Sequence, residues 1–331
     1  MTRIPSPGVK PRDAPIIASR LSTSVLIAII VTLLAWSSAF IVIRGVAPHF
    51  TVGSLALARL LVGTAVLSLL LIGRRWVRPS GREWLLIVVF GLSWFAAYNV
   101  TLNIAEQSLD AGTTAMIVGI GPVLIALGAG VFLGDGVPRW LAIGASVAFF
   151  GVVLIGISSG ITRIGDGAGV IWASVAAVTN AIGVICQKPV LRRLPNRQVT
   201  FLGCAVGAIA CLPFAGPLIH DLARVPVESI LGAVYLGVVP TAIAFSTWAF
   251  ALSRMPAGPL AVTTYIVPTL VVIEAYLVFR EVPAPVAVLG GVVCLVGVAF
   301  VVCLVGVALS RRRSRAPLSS TGSRNPKNLQ E

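Results

Sequence analysis

Two ionisable side chains stand inside long apolar runs of the sequence, Arg59 and Glu274. A lone charge in the middle of a membrane helix costs about 2.5–3.5 kcal/mol on insertion scales, so each needs a partner or a wet cavity. Arg59 lies seven residues into its run and Glu274 five residues from the end of its own. At a rise of ~1.5 Å per residue both sit roughly 7–11 Å below the same, outer, face. This matched depth predicts that the two form an ion pair or face one cavity, as ion-coupling residues, with Glu274 the carboxylate that carries a proton. The alternative has Arg59 reaching outer headgroups along its aliphatic stem and Glu274 reaching outer water.

Pro122 and Pro268 fall near the centres of two other apolar runs. Proline removes a backbone donor and clashes with the preceding turn, so each is expected to break its helix at mid-depth, helped in the first case by Gly119 and Gly121. Broken helices at equivalent positions of two halves point to a binding site at the midplane. Polar and aromatic residues gather at similar depth elsewhere: Trp36, Ser37 and Ser38; Trp94, Tyr98 and Asn99; Thr179 and Asn180; Thr241; and Thr264 and Tyr265. Aromatic walls with a few amide and hydroxyl groups suit an amphipathic small molecule. Taken singly, each residue is better accounted for by interhelical hydrogen bonding or packing.

These residues require a membrane around them. Of 331 residues 57% are hydrophobic and only 11% charged, well short of the roughly 25% charge of a soluble domain. Ten runs are long enough to cross a bilayer, near 22–46, 52–73, 83–104, 111–133, 139–158, 168–190, 199–219, 228–252, 258–279 and 285–309. Residues 1–20, with four prolines among basic residues, and 310–331, led by an arginine cluster, read as disordered basic tails. The first run is too long for the core of a signal peptide, and no small-residue cleavage site follows it. With the N-terminus cytoplasmic, twenty of the 25 Lys and Arg residues fall on the cytoplasmic side and four on the other, as the positive-inside rule expects. The net charge of +14 is thus assigned to orientation in the inner or plasma membrane, with both termini cytoplasmic. Its scatter over separate loops argues against nucleic acid as a partner.

Sliding the chain along itself by 146 residues brings Ala111-Gly112 onto Ala257-Gly258, Pro122 onto Pro268, Asp135 onto Glu281, Gly144 onto Gly290 and Gly151 onto Gly297. Each half then holds five spans, 21–158 and 168–309, and an odd number forces the second half into the membrane from the opposite face. The fold class expected is therefore all-α: ten transmembrane helices as two inverted five-helix repeats. The runs from Ala111-Gly112 through Pro122 to Leu133-Gly134-Asp135, and from Ala257-Gly258 through Pro268 to Arg280-Glu281, resemble the paired EamA domains of the drug/metabolite transporter superfamily. The resemblance covers about 21–309 and implies movement of small metabolites. Two positions depart from the family pattern: Asp135 stands where Glu is usual, and Ser37 follows Trp36 where Gly is common.

Other classes lack their residues. Gly156-Ile157-Ser158-Ser159-Gly160 matches a hydrolase elbow by spacing, but it ends an apolar run and His49 and His220 are remote from it. There is no P-loop, no dinucleotide fingerprint and no zinc-protease motif, so neither an enzyme, a cofactor nor a metal site is expected. All five cysteines lie in apolar runs and read as small core residues. Small-residue spacings such as Gly203-x-x-x-Gly207 are expected to pack helices within the chain; a homodimer through the last span is the alternative. The expected function is a secondary active transporter of small organic metabolites, of the amino-acid or drug/metabolite exporter kind, working by alternating access. A passive facilitator or channel for small polar solutes is the rival, and it needs a continuous polar lining that the sparse polar residues do not supply.

Overall fold

A computed structural model describes residues 22–108, 114, 117–134, 138–158, 167–280 and 284–314. The N-terminal tail, most of the C-terminal tail, Ala111-Gly112, Asp135, Glu281 and the end of the Gly156–Gly160 motif lie outside the described residues.

Every regular element among the described residues is helical. In chain order they are α1 (Thr23–Val46), α2 (Val52–Leu69), α3 (Gly81–Phe90), a π-helical stretch (Gly91–Ala97) continuing into α4 (Tyr98–Ser108), α5 (Gly121–Gly128) with a π stretch (Ala129–Leu133), and α6 (Arg139–Ser158). There follow α7 (Gly167–Val190), α8 (Asn196–Ala210), α9 (Ala215–Leu222), α10 (Val227–Leu236), a further π stretch (Gly237–Ile243) continuing into α11 (Ala244–Leu252), α12 (Ala257–Thr263), α13 (Ile266–Phe279) and α14 (Pro285–Ser314). Six helices are long and apolar enough to cross a membrane, or seven if α8 and α9, bent by 53°, count as one span. Three further apolar helices, Gly121–Leu133, Arg139–Leu154 and Val288–Val301, are shorter. The last helix runs to Ser314, so residues 310–314 extend a helix where the sequence suggested tail. The second ends at Leu69, short of residue 73, and the chain turns through Gly73 at φ 70°, a left-handed conformation that glycine adopts without strain.

The 146-residue offset recurs in the geometry. Of the three described π stretches, 91–97 and 237–243, called first and second below, are related by it, as are α3 and α10, and the starts of α6 and α14; Ala129–Leu133 has no such counterpart, since α13 is regular over 275–279. The helices before α6 and α14 both end on a left-handed residue, Gly134 at φ 71° and Arg280 at φ 57°; such a residue closes a helix by meeting its last free carbonyls. Packing repeats in the same sense. The first helix, α1, lies on α11 and α13, while its counterpart α7 lies on α4 and α5. The second π stretch packs on α2 and the first on α8; α2 meets α8, α5 meets α12, and α6 meets α14.

Close approach without side chains makes these contacts possible. Gly63 faces the Gly237 carbonyl and Gly91 faces the Gly203 carbonyl. On the other axis Gly144 faces Gly297 and Gly151 faces Gly290. Polar straps join connections at each end. At one, Arg193 forms an ion pair with Glu83 and Gln198 exchanges two hydrogen bonds with the Val77 backbone. Glu83 also completes a capping box with Ser80 at the start of α3, satisfying two free backbone donors. At the opposite end of the same helices, Asp221 accepts from the Thr51 amide (2.9 Å) and the Ser54 hydroxyl (2.5 Å), and His49 Nδ1 meets the Ser229 hydroxyl at 3.1 Å.

A Cβ at Gly151 would lie 2.5–2.8 Å from backbone atoms of Cys294 and Gly290, which cannot step aside. Gly151→Val is expected to cost about 1–3 kcal/mol by overpacking and to lower the melting temperature of the purified protein. Gly45→Ala, with nothing within 4 Å of its Cβ, serves as control and should leave stability equal or slightly raised.

Candidate functional site

Where the helices lose regular geometry, the aromatic residues converge. Trp36 stands near the middle of α1 and touches three rings: Trp248 (5.1 Å between centroids), Phe245 (5.5 Å) and Trp94 (5.9 Å). Trp94 comes from the first π stretch and reaches the cluster because Gly183 opposite has no side chain; a Cβ there would be 2.6 Å from the Trp94 Cβ. Phe90 and Phe95 complete the group behind Trp94. The Trp36 indole N–H donates to the Pro240 carbonyl at 3.2 Å, in the second π stretch. A π turn shifts hydrogen bonding by one residue and Pro240 itself lacks an N–H, and a side chain from α1 and one from the stretch itself serve carbonyls in and just before it. The Thr241 hydroxyl donates to the Leu236 carbonyl at 2.8 Å. Trp248 Nε1 is buried without a partner, beside a cleft lined by Ile29, Thr32, Leu33 and Thr263.

Three polar pairs surround these rings. Ser37 donates to Glu274 Oε1 at 2.6 Å, and Glu274 Oε2 is buried with no partner. The Ser38 and Tyr235 hydroxyls meet at 2.8 Å. Arg59 Nε donates to the Thr241 hydroxyl at 3.3 Å. The ion pair expected between Arg59 and Glu274 is not formed. Glu274, on α13, turns to α1, whereas Arg59, on α2, turns to the second π stretch. The two side chains lie on helices facing different neighbours.

The remaining expected site residues divide. Tyr98 is half-buried and lies close enough to Arg59 for their charges to interact. Asn99 donates to the Phe95 carbonyl at 2.7 Å and the Trp94 carbonyl at 3.4 Å, serving the π stretch it follows. Thr179 and Thr264 donate to carbonyls of their own helices, Ala176 and Ala261, and Asn180 Oδ1 is buried without a partner. Tyr265 is separated from the tryptophans. It packs in a second core with Leu141, Val152, Cys294 and Val298, and its ring lies 6.3 Å from Phe149. The helices break as the prolines suggested, at Gly119–Ile120 and Thr264–Tyr265, with Pro122 and Pro268 in the first turn of α5 and α13. Two residues of this region escaped the sequence reading. Tyr235 precedes the span centre on a stretch with no other polar marker. Glu106, whose charge reaches Arg59, stands just beyond the apolar run that ended near 104. Among the described residues, no three His, Cys, Asp or Glu side chains group closely enough to hold a metal ion.

The Trp36 bond to Pro240 is separable from its packing. Trp36→Phe keeps most of the aromatic contact but leaves the carbonyl unpaired, an expected loss of about 1–3 kcal/mol seen as a lower melting temperature. Trp76→Phe, at a ring 48% exposed, should change it little.

With this geometry in place, comparisons with known proteins agree on the kind of molecule. The sequence profile of the EamA-like transporter family matches twice, over residues 23–157 and 167–303. A probable terminal-alkyne amino-acid exporter of Streptantibioticus cattleyicolor is 33% identical over 288 residues, covering 86% of this chain and 95% of that protein. An uncharacterized transporter of Bacillus subtilis, YdfC, is 29% identical over 270 residues, covering 80% of this chain and 86% of its own. A crystal structure superposes over 86% of this chain and 99% of its own with a TM-score of 0.71 at 20% identity, a likeness that shows the fold alone. Helices able to span a membrane, a profile matched twice in tandem and relatives named as transporters make this a multi-pass membrane protein, and the chain belongs to the EamA-like transporter family.

Proposed function

We propose that the protein is a secondary active transporter of the cell membrane that exports small amphipathic metabolites, amino acids foremost, by alternating access. Its ten spans form two five-helix halves inserted in opposite senses, with both termini cytoplasmic. One observation carries this reading: the two π stretches, 146 residues apart, pack on α2 and α8, which are themselves counterparts. Each half thus presents its irregular backbone to the other. Irregular backbone is tolerated at membrane depth where it is buried in protein or lines a wet cavity, and paired discontinuities are how inverted-repeat transporters build a midplane site. The strap between Glu83 and Arg193 supports the opposite insertion. It joins the connection before the third span to the one after the sixth, and these share a face only if the halves are inverted.

In this reading the substrate lies against Trp36, Trp94 and Tyr98, with Ser37, Ser38, Asn99, Thr179, Asn180 and Thr264 as polar neighbours and Pro122 and Pro268 as the breaks that let helices bend. Glu274 is the coupling group. One of its oxygens is held by Ser37 and the other is buried without a partner, which leaves a place for a proton to be taken up and given back as access alternates. The amino-acid assignment draws on the name of the Streptantibioticus cattleyicolor relative.

Proteoliposomes containing the purified protein, loaded with radiolabelled apolar amino acids, test this. The expected result is flux that rises with an opposing proton gradient. In Glu274→Gln the gradient should lose its effect while downhill exchange persists, with a ΔpH-driven rate at least tenfold lower. Gradient-driven flux undiminished in Glu274→Gln removes the coupling role, and downhill flux indifferent to ΔpH in the wild type makes the protein a passive facilitator.

A further inference from the structure

Arg59 carries a charge in the described interior and donates to no carboxylate there. It is 6% exposed and is the eighth residue of the 18-residue α2, so little of it is open to solvent. Arginine stays charged and presents five donors in a planar fork shaped for two oxygens. Among the described residues one acceptor meets it, the Thr241 hydroxyl, at 3.3 Å from Nε. That oxygen is neutral and its own proton is committed to the Leu236 carbonyl. No carboxylate among the described residues lies within 4 Å of the guanidinium. The ionisable groups whose charge reaches it are Tyr98, Cys204 and Glu106, none of them hydrogen-bonded to it. Side chains seldom bury a guanidinium without an anion on its fork, and buried arginines commonly pair with carboxylates through two parallel bonds.

The surroundings fix where the fork is held. Gly63 and Gly237 bring α2 and the second π stretch so close that a Cβ at Gly63 would lie 2.7 Å from the Thr241 methyl, and one at Gly237 would lie 2.8 Å from the Arg59 carbonyl. Thr241 anchors Nε, leaving the two terminal nitrogens to meet a ligand. The adjoining residue, Pro240, gives its carbonyl to Trp36. Thr241, which seats the fork, is thus the chain neighbour of Pro240, which meets the aromatic group.

We infer that the Arg59 guanidinium, seated on Thr241 between α2 and the second π stretch, holds the carboxylate of the transported molecule. This rests on the transport reading above and narrows it to carboxylate-bearing cargo, with the apolar part of the molecule against Trp36 and Trp94. Arg59 is then a binding and specificity residue, distinct from Glu274 on the other side of α1.

Thermal stabilisation of the purified full-length protein by matched ligand pairs tests this: leucine against leucinamide, valine against valinamide, 4-methylpentanoate against its amide, and inorganic phosphate. The wild type is expected to bind each acid at least tenfold more tightly than its amide. Arg59→Gln should reduce that ratio below twofold, and Arg59→Lys should retain part of it. Thr241→Val, which removes only the anchor and keeps the side-chain shape, should lower acid affinity three- to tenfold and guards against misfolding of the arginine variants. Glu106→Gln should preserve the acid preference, whereas a purely structural Arg59–Glu106 pairing predicts equal destabilisation by either change and no ligand effect. Acids and amides bound alike by the wild type, or a preference surviving in Arg59→Gln, overturns the assignment while leaving amino-acid transport intact; binding of phosphate alone overturns both. Binding of 4-methylpentanoate but of no amino acid upholds the assignment and removes the amino-acid reading. Binding of none removes both.

Discussion

The rest of the structure depends on one constraint: inside a bilayer, no water is available to satisfy a backbone group that its own helix leaves unpaired. A regular helix meets this automatically, and a π stretch or a break does not. Among its described residues the protein nevertheless places three π stretches and two breaks in its apolar helices, and at the first and second π stretches side chains supply what lipid cannot. The Trp36 indole serves the Pro240 carbonyl, Thr241 serves Leu236, and Asn99 serves Phe95. Irregular backbone and polar side chains are therefore found together, and the aromatic rings close around both.

The same constraint bears on the proposed change of access. A pair of halves related by exchange can interconvert between two states of similar energy only if each end has an equivalent set of contacts to break. Such sets are present. Arg193 on Glu83 corresponds in position to His49 on Ser229, and Gln198 on Val77 corresponds to Ser54 on Asp221. The chemistry differs, an ion pair at one end against an imidazole–hydroxyl bond at the other. The glycine contacts of α6 with α14 are symmetric without such a difference, Gly144 on Gly297 and Gly151 on Gly290, and suit a part of the molecule that stays fixed while the rest moves.

Much of the fold was legible because membrane helices announce themselves by length and composition, and because proline and glycine mark backbone geometry directly. The offset that aligned Pro122 with Pro268 also aligns the π stretches and the left-handed residues Gly134 and Arg280. The site was less legible. Depth along a helix can be counted from a sequence, but rotation about its axis cannot when nearly every position is apolar. For that reason a count of depth groups Arg59 with Glu274, although they hydrogen-bond to different helices, and groups Tyr265 with the tryptophans, although it packs beside Cys294. Glu106 was overlooked because a hydropathy run ends where polar residues begin, while the helix continues to Ser108. The π stretches at 91–97 and 237–243 share no compositional signal beyond a glycine at the start of each.

Opposite insertion of the two halves is the claim on which site, gating and coupling all stand, and single-cysteine labelling in sealed vesicles tests it most directly. Cysteines introduced at Gly81 and Arg192, and separately at Pro48 and Arg224, are challenged with a membrane-impermeant thiol reagent from either side; the native cysteines at 204, 211 and 294 are buried. The account predicts that the first pair reacts only from the cytoplasmic side and the second only from the other. Reaction of Gly81→Cys and Arg192→Cys from opposite sides contradicts it.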